Sequence, residues 1–178
     1  VYSWSKSDTS IGLGISGIDS IPSFTATNVT NTPRTAIITT IPTANGCSGG
    51  ADTFSILVNP TPSVDTISDL IYCNGDMLQT IPFTGTVSNA SYHWTNDKST
   101  IGLDSVGINN ITPFTILNSD SIPVIANIVV VPKANNCSGP SKNFSITVNP
   151  TPNVIPTADQ ILCNGSPTDS ITFNGSVA

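Results

Sequence analysis

The nonapeptide FSILVNPTP at residues 54–62 recurs as FSITVNPTP at residues 144–152, and this recurrence decides the organisation of the chain. A shift of 90 residues aligns the sequence with itself without a gap, and by direct count 38 of the 88 aligned positions are identical. The aligned pairs include Trp4 with Trp94 and Cys47 with Cys137. Self-similarity at a fixed period is the signature of a tandem-repeat protein.

Two proline-rich segments close the repeated nonapeptide and set where each repeat ends. They are Asn59-Pro-Thr-Pro62 and Asn149-Pro-Thr-Pro152. Proline has no backbone N–H for a strand ladder, so neither segment can continue a strand. Alternating prolines favour a short, extended, semi-rigid connector. The sequence therefore predicts the C-terminal part of one repeat at 1–62, a complete repeat at 63–152, and the N-terminal part of the next at 153–178.

Short apolar stretches separated by turn residues fill the complete repeat. Val, Ile, Thr and aromatic residues dominate them, and these residues favour strands. About seven short strands in ~90 residues, with Tyr92 and Trp94 on one face of a central strand, are typical of an immunoglobulin-like sandwich. We expect an all-β fold of tandem immunoglobulin-like β-sandwich repeats. The predicted strands are 64–71, 81–87, 91–95, 114–117, 124–132 and 144–148, with turns at 73–75 and 135–139.

The low charge of the chain excludes several classes of partner. Only 9% of residues are charged, the net charge is −6, and the five Lys and Arg residues are not clustered. A nucleic-acid-binding protein needs a basic surface that neutralises phosphates, so no nucleic-acid partner is expected. No apolar run approaches the ~20 residues of a membrane-spanning helix, so no membrane insertion is expected either.

Few residues offer catalytic or metal-binding chemistry. The single histidine, His93, is expected on the strand face opposite Tyr92 and Trp94, and it does not recur, because position 3 is serine. The repeated aromatic residues are interpreted as core. No catalytic residue, cofactor or metal site is predicted; Asp65, Asp69 and Asp76 are candidate calcium ligands, but only Asp69 recurs, as Asp159. The core prediction comprises Trp4, Trp94, Tyr92, Phe83, Phe114 and Phe144.

Three sequence features together resemble a known family. They are Tyr-x-Trp at 92–94, Ala-Asn-x-Cys-Ser-Gly at 134–139 and the closing Phe-Ser-Ile-x-Val-Asn-Pro-Thr-Pro. They resemble the PKD-like, immunoglobulin-like repeats of giant secreted proteins in Bacteroidota. The chain departs from typical PKD domains in that Thr-Asn-Asp-Lys follows Trp94. The resemblance implies export to the cell surface, many repeats per chain, roles as adhesins, stalks or filaments, and no catalytic residues.

Two cysteines per repeat, both beside glycine turns, indicate an oxidising compartment and disulfides. One pairing joins Cys73 to Cys137 within a repeat, as in immunoglobulin domains; Cys47 and Cys163 then have partners outside this sequence. If Cys73 and Cys137 lie at opposite ends of the sandwich, a bridge across the joint to a neighbouring repeat is the alternative, because bonded cysteines need Cα atoms within about 7 Å. Zinc is disfavoured because there is no Cys-x-x-Cys pair.

Asp-Ser or Asp-Thr followed by an aliphatic residue occurs five times, at five different phases of the repeat. The motif looks like the O-glycan acceptor motif of the same phylum, whereas Asp-Ser and Asp-Thr pairs also suit turns. Because turns would recur at one phase, we interpret the five hydroxyls as O-glycosylation sites. They are Ser20, Thr66, Ser105, Ser121 and Ser170.

These features predict a structural repeat segment of a long extracellular surface protein, which forms an adhesin shaft or an extracellular filament. Its expected partners are the neighbouring repeats, glycans, and further copies through lateral association of exposed sheet edges. Two alternatives stay open. One is an array of carbohydrate-binding modules, and the other is a set of spacer repeats in a secreted polysaccharide-degrading enzyme.

Overall fold

A computed structural model describes residues 1–8 and 10–176, and these contain strands and one short 3-10 turn but no α-helix. The all-β prediction is therefore confirmed. The contacts divide the chain into two compact units. The first contains Val1–Asp65, Phe83–Tyr92 and Val131–Ser141, and the second contains Thr66–Pro82, His93–Val130 and the residues from Lys142 onward. These units cut through the predicted repeat 63–152.

Five strands precede the first proline segment. Strand β3 lies at the centre of their sheet, where it pairs antiparallel with β1, β4 and β5, while β1 also pairs with β2. The strands are β1 (Tyr2–Lys6), β2 (Ser16–Ile18), β3 (Arg34–Ala44), β4 (Cys47–Ser48) and β5 (Asp52–Val58).

A small apolar cluster lies against this sheet. Trp4 is 6% exposed, and the Trp4 indole N–H donates to the Ser20 carbonyl at 2.9 Å, so its one polar atom is satisfied. Burial of such side chains is the main favourable term in folding. The cluster consists of Trp4, Ile11, Leu13, Ala36 and Ile38, with Ile21, Phe24, Ile56 and Val58 packed against it.

Eight strands follow the first proline segment. Six form a sheet in the order β6-β13-β11-β8-β9, with β12 paired to β11, and two form the separate pair β7 and β10. Strand β6 pairs parallel with β13, in the register Ile146 to Leu70. The strands are β6 (Leu70–Cys73), β7 (Met77–Leu78), β8 (Ser91–Asn96), β9 (Val106–Ile108), β10 (Phe114–Thr115), β11 (Val124–Ala134), β12 (Cys137–Ser138) and β13 (Lys142–Asn149).

Alternation of buried and exposed residues in β11 and β13 directs one face of this sheet into a core. In β11, Ala126, Ile128 and Val130 are fully buried, whereas the residues between them are exposed. Two-residue periodicity is expected of a strand with one buried face. The other buried apolar residues of the second unit include Leu78, Trp94, Ile101, Leu103, Ile111, Ile116, Phe144, Ile146 and Val148.

Two of the predicted strands are wrong in extent. The segment 64–71 was predicted as a strand, but β6 begins only at Leu70. The segment 81–87 forms a single bridge, between Ile81 and Ile111. Pro82 lacks the N–H that a continuing ladder needs, and the chain instead pairs through isolated bonds such as Asp65 N to Thr84 O at 2.8 Å. The other predicted strands all overlap an observed one: three observed strands extend beyond the predicted ranges, and 114–117 shortens to Phe114–Thr115.

Candidate functional site

The first proline segment, Asn59–Pro62, is an ordered joint and not a loose linker. Pro60 and Pro62 are both less than 2% exposed. The Asn59 side-chain amide donates to the backbone carbonyl of Asn135 at 3.0 Å. Asn135 lies in the turn between β11 and β12, so one end of the joint is tied to a residue 76 positions further along the chain.

Gly139 explains how the joint packs so closely. A Cβ atom placed on Gly139 would overlap the backbone carbonyl of Pro62 and lie 3.0 Å from Pro132. A glycine is required there because backbone approaches backbone. At the aligned position, a Cβ on Gly49 would meet only Pro42, with its nearest atom at 2.9 Å. Each glycine therefore lies against an aligned proline side chain, Pro42 or Pro132, but only Gly139 also lies against the joint.

The residues that follow the joint are also held. The Ser63 hydroxyl donates to the Thr86 hydroxyl at 3.0 Å, and the Thr86 N–H donates to the Ser63 hydroxyl at 3.1 Å. The Thr84 hydroxyl donates to the Asp65 carboxylate at 2.6 Å. Both ends of the Pro-Thr-Pro stretch are thus fixed by hydrogen bonds, so we expect little freedom at the prolines between them.

Tyr92 lies beside this part of the first unit, with its ring centroid 6.0 Å from that of Phe83. Burial raises the pKa of the Tyr92 hydroxyl, and the negative charge of Asp65 raises it further. Both effects keep the hydroxyl protonated at neutral pH. Tyr92 therefore acts here as a packed neutral side chain.

The second proline segment, Asn149–Pro152, is held by Asn74 within the second unit. The Asn74 N–H donates to the Asn149 carbonyl at 2.8 Å, and its side-chain amide donates to the Thr151 hydroxyl at 3.2 Å. Pro150 is buried, whereas Pro152 is exposed. The turn at Asn74 therefore fixes the direction in which the chain leaves β13.

Asn118 completes this arrangement, and the sequence analysis missed it. Its buried side-chain amide donates to the carbonyls of Val148 at 2.7 Å and Ile122 at 3.0 Å, and its N–H donates to Asn74 Oδ1 at 2.8 Å. At the aligned position, the Asn28 amide donates to Val58 and Thr32, both at 2.8 Å. The recurrence of asparagine at positions 28 and 118 was the available signal.

Asn118→Asp is expected to lower the free energy of unfolding by about 2–4 kcal/mol. The carboxylate has the same shape but cannot donate, so the buried Val148 carbonyl loses its partner at ~1–3 kcal/mol, and the part-buried Ile122 carbonyl loses its partner at a smaller cost. Urea unfolding followed by tryptophan fluorescence measures the change. Ser119→Asp, at the exposed neighbouring position, is the control and should change it by less than about 0.5 kcal/mol. Equal effects of the two variants would contradict this role of Asn118.

No two of the four cysteines are bonded to each other; Cys137 is half-buried and the other three are exposed. Cys137 pairs in register with Ala134, in the β11–β12 turn that bonds the first joint through Asn135. Cys73 pairs in register with Asn149, where the second joint begins. Each of these two cysteines therefore lies beside a different joint.

The remaining predicted residues fall at the following places. Trp4, Phe83, Tyr92, Trp94 and Phe144 are buried, whereas Phe114, which lies on the two-residue strand β10, is only half-buried. His93 is half-buried and stands opposite Ile108 in the β8–β9 pair. The five proposed glycan acceptors, Ser20, Thr66, Ser105, Ser121 and Ser170, are all exposed and all lie outside strands.

The three candidate calcium ligands each accept a hydrogen bond from a separate group. Asp69 accepts from the Ser145 N–H at 2.6 Å, and Asp76 accepts from the Cys73 N–H at 2.8 Å. Within residues 1–8 and 10–176, no three His, Cys, Asp or Glu side chains are grouped so that they could hold a metal ion. The same residues include no helix with the length and apolar character of a membrane span.

No family model matches the chain, and no curated protein matches it significantly.

Proposed function

We propose that the chain is a structural repeat segment of a long extracellular surface protein, which serves as an adhesin shaft or an extracellular filament. The observation that carries the proposal is the buried joint, where Pro60 and Pro62 are less than 2% exposed and Asn59 bonds the Asn135 carbonyl. A shaft needs connections that resist bending. Stacked repeats also gain stability from each interface between neighbours.

Recurrence of local geometry supports tandem repeats of about 90 residues. Strands β3 and β11 both have eleven residues, and their bounds differ by 90 positions. Left-handed residues recur at the same offset, as in Asn45 and Asn135 with φ of 50° and 48°, and in Gly12 and Gly102 with φ of 89° and 92°. These recurrences at an offset of 90 residues support two copies of one backbone conformation.

Strand order supports the immunoglobulin-like assignment of the complete repeat. In that fold the last strand, G, pairs with F, F pairs with C, and C pairs with C′ in the variable type. The order β13-β11-β8-β9 fits G, F, C and C′, and the pair of β7 with β10 fits strands of the opposite sheet. Trp94 lies on β8, where such domains carry a buried tryptophan.

The cysteine positions favour the second of the two disulfide arrangements. Because Cys137 lies beside the first joint and Cys73 beside the second, we propose that each bonds a cysteine of the adjoining repeat. Two thiols would lose two protons and two electrons to an exchanging disulfide in an oxidising compartment. Such bonds would stiffen each joint covalently.

Exposure of the five Asp-Ser/Thr hydroxyls supports their role as O-glycan acceptors, because a transferase must reach them. Carbohydrate binding has less support. Within residues 63–152, all of which the structure describes, every aromatic side chain is buried or half-buried, so no exposed stacking platform is present. The structural role is therefore the one that we propose.

Intact mass of the natively secreted protein tests this proposal, before and after reduction and with thiol labelling. We expect masses above that of the polypeptide by sugar-sized increments, and no labelled thiol before reduction. The same polypeptide made in a reducing cytoplasm provides the reference mass. A native protein that stays inside the cell, or a bare chain with free cysteines, would contradict the proposal.

A further inference from the structure

Strand β9 is an edge of the six-stranded sheet in the complete repeat. It pairs with β8 on one side and, among the described residues, with no strand on the other. Ile108 is 59% exposed although the chain contains residues 1–62, which precede its repeat. At the aligned position in β2, Ile18 is 64% exposed although the complete repeat follows it. Neither the preceding nor the following part of the chain covers this edge, so the open edge is a property of the repeat itself.

The register with β8 shows which backbone groups of β9 point away from the sheet. The Asn96 N–H donates to the Ser105 carbonyl at 2.8 Å, so residue 105 bonds toward β8. Hydrogen-bonded and non-bonded pairs alternate in an antiparallel ladder, so Gly107 also bonds toward β8. The N–H and C=O groups of Val106 and Ile108 therefore point to the open side.

The side chains of these two outward-bonding residues are apolar and exposed. Val106 is 65% exposed and Ile108 is 59% exposed. Gly107 between them lies on the core side, where a Cβ would overlap the Trp94 ring. Proteins often protect an open edge with a charged side chain or a proline, and β9 has neither, although it is short. The edge is therefore able to accept a further strand.

We propose that β9 of one copy pairs antiparallel with β9 of a second copy, about a two-fold axis at Gly107. The inference rests on the proposed function, because it names the edge through which such chains would associate laterally. Val106 of each copy would stand opposite Ile108 of the other. Since both residues bond outward, each of these two pairs would exchange two hydrogen bonds between backbone N–H and C=O groups.

A second copy fits this edge because the edge is complementary to itself. The two-fold pairing gives two cross-strand pairs of β-branched side chains, which stabilise antiparallel strands. Beyond the strand, Asp104 would stand opposite Asn110 of the second copy, so no two carboxylates would face each other. A contact about a two-fold axis is closed, so each pairing joins two chains. In a long array of repeats, many weak contacts of this kind would act together.

Lysine substitutions on the edge of the 178-residue chain test the proposal. Ile108→Lys places a charged side chain opposite Val106 of the second copy in both pairs, and lysine on an edge opposes strand addition. Ile18→Lys is the matched control, because Ile18 is as exposed but β2 has Ser16 in place of Val106. Both side chains are exposed in the free chain, so the variants should fold.

Sedimentation equilibrium over a range of concentrations measures the dimer. We expect the unmodified chain and Ile18→Lys to form a species of twice the 18.4 kDa chain mass. Ile108→Lys should weaken this dimer by about tenfold, because it replaces both apolar cross-strand pairs. Circular dichroism checks that each variant is folded, and Val106→Asp provides the same test if Ile108→Lys is unfolded.

A mixture of two variants tests the register. Val106→Asp alone should also weaken the dimer by about tenfold. An equimolar mixture with Ile108→Lys should restore most of the dimer. In the mixed dimer, the new lysine of one chain stands opposite the new aspartate of the other, while the second pair keeps Val106 and Ile108.

An unmodified chain that stays monomeric up to its highest soluble concentration would overturn the inference. An assembly that Ile108→Lys leaves unchanged would overturn it too, as would equal effects of Ile108→Lys and Ile18→Lys. A mixture that dimerises no more than either variant alone would contradict the register and with it the proposed pairing. Each of these results would leave the shaft proposal intact, since that is judged separately on the mass and location of the native protein.

Discussion

Gly139→Ala is expected to lower the free energy of unfolding by about 1–3 kcal/mol, the usual cost of forcing an extra methyl group into packed structure. The new Cβ would overlap the Pro62 carbonyl, which is backbone and cannot rotate away. Gly139 does not have a positive φ, so the cost comes from steric overlap and not from backbone strain. The joint would have to move away from the β11–β12 turn.

Gly49→Ala is the matched control for Gly139→Ala. Both glycines contact an aligned proline side chain, Pro42 at 2.9 Å and Pro132 at 3.0 Å, but only Gly139 contacts the joint. The difference between the two variants in the free energy of unfolding, measured in urea, therefore gives the contribution of the contact between Gly139 and the joint. We expect Gly49→Ala to cost less than about 1 kcal/mol. Equal losses in the two variants would contradict the packing of the joint against Gly139.

Phe144→Ala is expected to cost about 3–5 kcal/mol, the range measured for large-to-small changes of buried aromatic residues. Phe144 is 3% exposed. Phe54→Ala removes the same atoms from the aligned strand, where the side chain is 46% exposed, and we expect it to cost less than about 1 kcal/mol.

Denaturant unfolding with far-UV circular dichroism compares the two phenylalanine variants. Two compact units share the chain, so each transition has to be fitted separately and not as one two-state step. A Phe54→Ala loss as large as that of Phe144→Ala would contradict the difference in burial between the two aligned phenylalanines.

Most of the strand pattern was predictable from the sequence, because the strands with one buried face alternate clearly. Strands β8, β11 and β13 lie where they were predicted. The segments 64–71 and 81–87 were predicted wrongly because apolar content alone does not supply a partner strand. Their side chains Val64 and Phe83 are buried, but their backbone bonds are isolated ones. A strand needs a hydrogen-bonded partner strand in addition to buried side chains, and these two segments have only the buried side chains.

The joint was predictable only in part. The Pro-x-Pro spacing predicted a semi-rigid connector. The spacing of the prolines could not indicate that Pro60 and Pro62 are buried, because their burial depends on packing against Gly139, which lies far along the chain. The role of Asn118 was hidden for a similar reason. The Asn118 side-chain amide donates to backbone carbonyls, which every residue has, so the identity of its partners leaves no trace in the sequence. Only the recurrence of asparagine at position 28 could have identified Asn118.

The most direct test of the account is the backbone order of the first joint. Amide ¹⁵N relaxation gives backbone order parameters for Asn59, Thr61 and Ser63. These three residues flank the two prolines and, unlike the prolines, carry a backbone N–H. Because Asn59 and Ser63 are hydrogen-bonded and Pro60 and Pro62 are buried, we predict values near 0.85, as in rigid strands. Values below about 0.6 would show a flexible linker and would contradict the shaft.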